Sequence, residues 1–194
     1  MPGPALSAKE LSRRTWPDFE KLFRKPGEWG ACWCVYYQRE KPPPSAGMGV
    51  QERAERNRRD KEELVRGGMS HGIVVYSGKD PVGWCQYGPK EEAPRIDATR
   101  RYRSLSPSYG GTKVWRISCF CVDRRHRKEG VAAYALNAAL RSIERKGGGV
   151  VEAYPATNKG ALATWFGTVS MFEREGFRVV APFGKSNALM TRKV

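Results

Sequence analysis

Histidine is scarce in this chain, and long apolar runs and a leader-like N-terminus are absent. There are only two histidines, His71 and His126, and the five cysteines are an odd number, which argues against a complete disulfide framework. No apolar run approaches the ~20 residues that span a bilayer, and residues 1–14 contain no apolar signal core. We therefore expect a cytoplasmic protein in a reducing setting, without a membrane segment.

Acidic residues are also few, with 20 Asp and Glu against 35 Lys and Arg, so the net charge is +15. Such a charge attracts anionic partners over long distances. Nucleic acid is one alternative, but it is not favoured, because a basic surface can simply keep a protein in solution. At 194 residues the chain is long enough for one domain with a substantial core.

The residues from Val114 to Lys146 predict a strand, a basic turn and a helix. Val114–Val122 is rich in β-branched and aromatic side chains, which is typical of a buried strand. Four cations follow within Asp123–Glu129, and the apolar period then changes to that of a helix. The helical apolar positions are Val131, Ala135, Leu136, Ala139, Leu140 and Ile143.

A strand that enters a helix through a basic turn containing glycine favours an anion site. The first helical N–H groups lack partners within the helix, and the helix dipole is positive at that end. Gly130 and Ala132 are small enough to let a phosphate approach the backbone. The alternative is a solvated basic turn in front of an ordinary amphipathic helix.

Arg127, Gly130 and Ala132 fit the Q/R-x-x-G-x-G/A signature of the GNAT N-acetyltransferase superfamily, and Val122 stands where that family's fourth strand ends. The segment SMFEREGF from Ser170 to Phe177 resembles the family's second hallmark. The chain also resembles a poorly characterised branch with a Cys-Trp-Cys element. The resemblance implies an α/β fold, a single domain over residues 1–194, with a mixed, largely antiparallel sheet and a central splayed parallel pair.

The resemblance also implies acetyl-CoA as co-substrate and a primary amine of a small molecule or protein as acceptor. The amides of Lys128–Ala132 would bind the pyrophosphate, and the backbone of Cys121 and Val122 would bind the pantetheine arm. Residues 26–70 would shape the acceptor site, residues 1–12 would be flexible, and a homodimer is an option. The predicted cofactor-binding residues are Cys121, Val122, Arg127, Lys128, Glu129, Gly130, Val131, Ala132, Trp165 and Phe172.

Two positions depart from the family's pattern. Phe172 stands where a tyrosine usually protonates the leaving thiolate, and Trp165 stands where an asparagine is common. Because an amine nucleophile must lose a proton, we expect Glu152 to be the base and Tyr154 to be the next candidate. An acceptor such as aminoacyl-RNA, a plain nucleic-acid binder, and a catalytically quiet acyl-CoA sensor are the alternatives.

Two Cys-x-Cys pairs, Cys32 with Cys34 and Cys119 with Cys121, make a four-thiolate zinc site conceivable. Zinc sites more often use longer cysteine spacings, and buried cysteines commonly act as small hydrophobic residues. The sequence therefore predicts no metal site, and a redox role stays open.

The remaining segments predict further helices and strands. Residues 15–24 and 51–66 favour helices, the second exposed, and Trp29–Gln38 favours either a strand or a packed loop. Gly72–Tyr76 and Val82–Tyr87 predict a hairpin. Val150–Tyr154 is expected to run parallel to the central strand. A short helix capped near Thr168, a helical turn with a loop in 89–103, and closing strands at 177–180 and 188–191 complete the prediction.

Overall fold

The computed structural model describes residues 5–25, 31–44, 46–158 and 165–194. Seven strands form one sheet: β1 Leu6–Glu10, β2 Gly72–Ser77, β3 Asp80–Pro89, β4 Val114–Val122, β5 Val150–Ala153, β6 Arg178–Pro182 and β7 Ala188–Lys193. The helices are α1 Trp16–Phe23, α2 Val50–Arg66, α3 Pro94–Ala98, α4 Arg100–Leu105, α5 Val131–Arg145 and α6 Val169–Arg174. Short 3₁₀ turns occur at Lys90–Glu92 and Arg124–His126.

The strand order in the sheet is β1-β2-β3-β4-β5-β7-β6. Its only parallel pair among the described strands is β4 with β5, which α5 connects as a crossover. This confirms the predicted mixed α/β sheet with a central parallel pair. The predicted hairpin of β2 and β3 and the short helix α6 are also present, and Thr168 Oγ1 accepts a hydrogen bond from the N–H of Met171.

Three local expectations need correction, and one alternative that the sequence left open is decided. The prediction of flexibility is wrong for Leu6–Glu10, because this segment pairs with β2 as an edge strand. In α2, Lys61 and Val65 are buried, so the helix is not exposed on all sides. Residues 31–38 form a turn-rich packed loop, while 29–30 lie outside the described residues. The segment 89–103 contains the two helices α3 and α4 rather than one helical turn.

The core lies on both faces of the sheet. The apolar side of α5 packs on one face, where Leu136 and Ile143 are fully buried, and truncating such a residue to alanine costs about 2–5 kcal/mol. The opposite face is covered by α1 and the loop around Trp33, where Phe19 packs against Trp84 and Phe23 against Trp33. The helices in the described part of the chain include none long and apolar enough to cross a bilayer.

The two halves of β4 differ in the strands with which they pair. Its residues Val114–Ile117 pair with β5, but the ladder with β5 ends there, while pairing with β3 continues to Val122. The register with β3 shifts between Gln86 and Tyr87, which leaves Ser118 as an extra residue on β4. A bulge of this kind bends a strand and disrupts its ladder. The outer half of β4 therefore presents an edge towards the gap beside β5.

Candidate functional site

The turn between β4 and α5, which we call the glycine turn, combines positive charge with an exposed helix N-terminus. Lys128 and Gly130 have left-handed backbones with φ of 66° and 80°, and α5 begins at Val131. A Cβ built on Gly130 would meet no atom within 4 Å, so the space before the helix is open. The turn can therefore receive an anion at the first backbone N–H groups of α5.

Asp123 holds the start of the glycine turn in place. Its carboxylate accepts hydrogen bonds from the backbone N–H and guanidinium of Arg125 and from Lys25 Nζ, the last at 2.9 Å. Hydrogen bonds from Arg125 and Lys25 keep the pKa of Asp123 below its usual range, although burial opposes this. This ionised anchor offsets part of the local positive charge and leaves Arg124, Arg127 and Lys128 around the turn.

A first cavity, the aromatic–thiol cavity, lies against the open half of β4 and has a volume of about 390 Å³. Ser118 and Cys119 supply its β4 side, and Trp165 closes part of the opposite side. Its full lining is Cys32, Cys34, Tyr36, Tyr37, Ser118, Cys119, Trp165 and Phe166. On β4 this cavity begins at Ser118, directly after the last residue of the β4–β5 ladder, Ile117.

A second cavity, the tyrosine–arginine cavity, measures about 350 Å³ and shares Tyr36 and Tyr37 with the first. Its other lining residues are Ile96, Thr99, Arg100, Arg101, Tyr154 and Phe183. The loop between α1 and α2 thus contributes to both cavities. Burial raises the pKa of Tyr37 to about 12, so this hydroxyl stays protonated at neutral pH.

Glu152 lies at the centre of a buried arginine–carboxylate cluster made with Arg116, Asp97, Tyr102, Tyr109 and Tyr154. One carboxylate oxygen accepts hydrogen bonds from Tyr102 and Tyr109 at 2.7 and 2.8 Å. The other accepts from Arg116 Nε at 2.9 Å and from Tyr154 at 2.6 Å. Since a carboxylate offers about four acceptor positions, Glu152 has its hydrogen-bonding capacity filled. Its exposed fraction is 0%.

Arg116 satisfies its remaining donors on the other side of this cluster. Its two terminal nitrogens donate to the two oxygens of Asp97 at 2.8 and 2.7 Å, and one also donates to the carbonyl of Ala93 at 3.1 Å. Sequence reasoning did not identify this network. The available signal was a charged residue, Arg116, in an otherwise apolar strand, but its partners came from three distant segments.

The predicted site residues are not all gathered at one place. Tyr154 lines the tyrosine–arginine cavity and touches Glu152, and burial raises its pKa well above the usual value. Trp165 lines the aromatic–thiol cavity. The ring of Phe172, by contrast, is fully buried and packs edge-on against Phe120 and Phe177. It fills the core beneath the sheet and does not line either cavity.

The backbone positions predicted for the cofactor follow one continuous stretch. Cys121 and Val122 lie on the open half of β4, and Arg127, Glu129 and Ala132 belong to the glycine turn and the first turn of α5. The Glu129 carboxylate contacts the ring of His126, with 2.9 Å between Oε2 and Nδ1. A ligand that passes from the aromatic–thiol cavity to the glycine turn would follow this backbone edge.

Three cysteines form a thiol cluster behind the first cavity. The sulfur atoms of Cys34, Cys119 and Cys121 all lie within 4.8 Å of one another. Hydrogen bonds from the thiols of Cys119 and Cys121 lower the pKa of Cys34, and the nearby Lys61 ammonium acts in the same direction. Burial lowers the pKa of Lys61 to about 8. The sequence indicated the two Cys-x-Cys pairs but not their meeting.

The chain matches the family model described as Acetyltransferase (GNAT) family over residues 16–167. A search of curated proteins finds no match. Solved structures similar in fold include a protein of the GNAT family from Desulfovibrio desulfuricans, at 14% identity and a TM-score of 0.56, covering 97% of this chain and 99% of that one.

Two further solved structures have the same fold. An acetyltransferase from Thermus thermophilus is 14% identical with a TM-score of 0.54, and each chain is covered completely. Arabidopsis thaliana NAA60 in complex with acetyl-CoA is 13% identical with a TM-score of 0.53, covering 98% of this chain and 100% of that one. Because the family model spans most of the sequence and includes the glycine turn, the chain belongs to the GNAT acetyltransferase family.

Proposed function

We propose that this protein transfers an acetyl group from acetyl-CoA to a primary amine by direct attack in a ternary complex. The observation that carries the proposal is the open edge of β4, which joins the aromatic–thiol cavity to the left-handed Gly130 at the start of α5. This edge suits an extended ligand with an anionic group at one end. Acetyl-CoA has that chemistry, and the described residues fit it.

The glycine turn would hold the pyrophosphate. The amides from Lys128 to Ala132 supply donors, and the N-terminal end of α5 supplies a positive potential of about half a charge. The side chain of Arg127 adds a cation beside this turn. The open space at Gly130 is consistent with close approach of a phosphate to the backbone.

The outer half of β4 would hold the pantetheine arm. Beyond Ile117, the edge that faces β5 is not taken up by the β4–β5 ladder. Asp123 donates its N–H to Val82 on β3, and backbone groups alternate between the two edges of a strand, so the groups of Val122 face this gap and those of Cys121 face β3. The Val122 backbone can therefore serve a ligand with amide groups. Trp165 would border the thioester end, because it lines the cavity at the beginning of this edge.

Transfer to an amine also requires a route for protons. Phe172 cannot donate one, and Glu152 is enclosed by four hydrogen-bond donors. Tyr154 lines a cavity while its hydroxyl touches Glu152, so we assign the proton-handling role to Tyr154. Glu152 would act as a positioning residue that orients this hydroxyl. Its carboxylate is shared with two other tyrosines and Arg116, which makes it a poor free base.

The segment before β2 would shape the acceptor site, as proposed for residues 26–70. Cys32, Cys34, Tyr36 and Tyr37 line the aromatic–thiol cavity, and both tyrosines also line the other cavity. The tyrosine–arginine cavity carries Arg100 and Arg101, which favour an acceptor with an anionic group near its amine.

The test is binding of acetyl-CoA measured by calorimetry and by thermal shift, at low and high salt. Wild-type protein should show saturable binding and a higher melting temperature that persists at high salt, because a ligand that binds only the folded state stabilises it by mass action. Gly130→Asp should abolish this binding, since it places a carboxylate and a strained left-handed residue at the phosphate position.

Gly110→Asp is the matched control. Gly110 also has a left-handed backbone, with φ of 58°, and a Cβ there meets no atom within 4 Å. Gly110 precedes β4 and is remote in sequence from the glycine turn. The Gly110→Asp variant should therefore bind acetyl-CoA with wild-type affinity. Unchanged affinity in Gly130→Asp would contradict the proposal. An equal response to a bulk polyanion that disappears with salt would instead favour a nucleic-acid partner.

A further inference from the structure

The thiol cluster is assembled from two separate parts of the chain. Cys119 and Cys121 are two residues apart on β4, so their side chains point to the same face of the sheet. Cys34 comes from the loop between α1 and α2, where Trp33 and Cys34 both have left-handed backbones with φ of 49° and 51°. Two consecutive left-handed residues other than glycine are uncommon, and here they direct the Cys34 thiol towards β4.

The sulfur positions suit a single metal ion. The Cys34 and Cys119 sulfurs are 3.2 Å apart, and all three sulfurs lie within 4.8 Å of one another. A tetrahedral zinc ion with Zn–S bonds of about 2.3 Å requires sulfur–sulfur separations of about 3.8 Å. The cluster brackets this value, so only small side-chain adjustments are needed to surround an ion.

Two buried side chains that carry polar groups, Lys61 and Trp84, lie beside the cluster. Lys61 is 0% exposed, and its ammonium donates to the neutral amide oxygens of Gln38 and Gln86, each at 2.7 Å. The ammonium also lies 5.3 Å from the centre of the Trp84 ring. Trp84 is fully buried and stands opposite Cys121 in the β3–β4 ladder.

We propose that Cys34, Cys119 and Cys121 form a binding site for a divalent thiophilic metal ion of the zinc class. Three thiols lose their protons to solvent and three sulfur–metal bonds form, which gives a unit with one net negative charge. The buried Lys61 ammonium, 5.3 Å from the centre of the ring of Trp84 opposite Cys121, would offset that charge. No oxidant or reductant takes part.

The donor set selects the metal class. All three ligands are sulfur, and soft thiolates favour zinc over magnesium or calcium, which take oxygen ligands. Cys34 and Cys119 also line the aromatic–thiol cavity, so an ion held by the three sulfurs would lie beside that cavity. A zinc site with three protein ligands and one open position is the arrangement that can take an exogenous ligand.

The test is titration of the full-length, reduced and chelator-treated protein with Co²⁺ in the absence of oxygen. We expect the intense near-ultraviolet absorption of cobalt–thiolate bonds to saturate at about one equivalent and to disappear when Zn²⁺ displaces the cobalt. Alanine variants of Cys34, Cys119 and Cys121 should each weaken binding by more than about tenfold, since even outer-shell changes can have that effect. The readout does not depend on acetyl transfer.

Cys85→Ala is the matched control, because Cys85 is buried like Cys34 and Cys121 but belongs to the core on the α5 face of the sheet. It should bind cobalt like wild type. A second measurement needs no substitution: Zn²⁺ should protect Cys34 and Cys119 from a small thiol reagent, as located by peptide mass spectrometry. Absence of thiolate bands from the folded, reduced wild type, or equal labelling with and without Zn²⁺, would overturn the site.

Discussion

The two halves of β4 carry two buried polar clusters on the same face of the sheet. The clusters differ in the groups that pair with their charges and hydrogen-bond donors. In the inner half, where β5 pairs with β4, Arg116 and Glu152 are surrounded by partners of opposite charge and by hydroxyl groups. In the outer half, Cys119 and Cys121 meet Cys34 beside an ammonium held by neutral amides.

The end of the β4–β5 ladder explains this difference. Paired strands bring Glu152 directly opposite Arg116 and enclose both side chains. Beyond Ile117 the second edge of β4 has no β5 partner, so the polar groups there border a cavity. The inner cluster is therefore arranged to stabilise the folded protein, and the outer half of β4 is arranged to bind a ligand.

The largest expected effect comes from breaking the inner cluster. Arg116→Met should lower the free energy of unfolding by about 3–5 kcal/mol, because it leaves the Glu152 charge buried without its cation. Lys61→Met, at the outer cluster, should cost no more than about 1–3 kcal/mol, because it leaves only two neutral amide oxygens without a donor.

Urea denaturation of both variants measures these losses, with Arg14→Met at an exposed position as the control, expected to stay within about 0.5 kcal/mol of wild type. Equal losses, or a larger loss at Lys61, would show that the two clusters do not differ in the way their contacts indicate.

The next largest effect concerns turnover. Tyr154→Phe should lower kcat at least about tenfold, or about 1.4 kcal/mol, with unchanged acetyl-CoA affinity, because Tyr154 is the one Glu152-bound tyrosine that lines a described cavity and the variant lacks its hydroxyl. Release of free CoA with an amine acceptor identified by screening gives the rate. Glu152→Gln should lower both kcat and the unfolding free energy, since Glu152 positions Tyr154 and neutralises Arg116.

Tyr109→Phe provides the comparison for Tyr154→Phe. It removes another hydroxyl that donates to Glu152, at 2.8 Å, but Tyr109 does not line either described cavity. Its kcat should match that of wild type. A similar loss of turnover in both variants would point to the integrity of the cluster rather than to proton transfer by Tyr154.

Much of the sheet and the glycine turn could be predicted from the sequence because their signals are local. Runs of β-branched and aromatic residues indicated β2, β3 and β4, a helical apolar period indicated α5, and the cations and Gly130 indicated the turn before the helix. The family resemblance supplied the splayed pair. The edge strand β1 was missed because Leu6–Glu10 is short and is stabilised by pairing with β2.

The interior of the site depends on contacts between distant residues, so the sequence could not predict it. The bulge at Ser118 changes which later residues of β4 share a face with Arg116, and no local pattern marks it. Cys34 joins Cys119 and Cys121 only after the loop folds across the sheet. The predicted base Glu152 has its four donors from β4, from Tyr154 just after β5 and from the 99–113 region, which only the fold brings together.

The smallest expected effect tests how exposure weakens an ionic cluster. Glu10 at the end of β1 accepts from Ser142, Arg145 and Lys146 of the α5 region at 2.5, 3.1 and 2.6 Å, but its side chain is 36% exposed. Burial opposes ionisation, yet the hydrogen bonds from Lys146 and Ser142 lower the pKa of Glu10 from 4.5 to about 2. Stability from ionised Glu10 is therefore present above pH 4.5 and lost as the pH falls towards 2.

Glu10→Gln should consequently be less stable than wild type at neutral pH by no more than about 1 kcal/mol, because solvent screens a half-exposed pair. The difference should shrink as the pH falls through the interval from 4.5 to about 2. Urea denaturation at several pH values measures it, with Glu144→Gln, at an exposed position on α5, as a control without this trend. A loss as large as that of Arg116→Met would mean that enclosure by the sheet does not set the strength of these clusters.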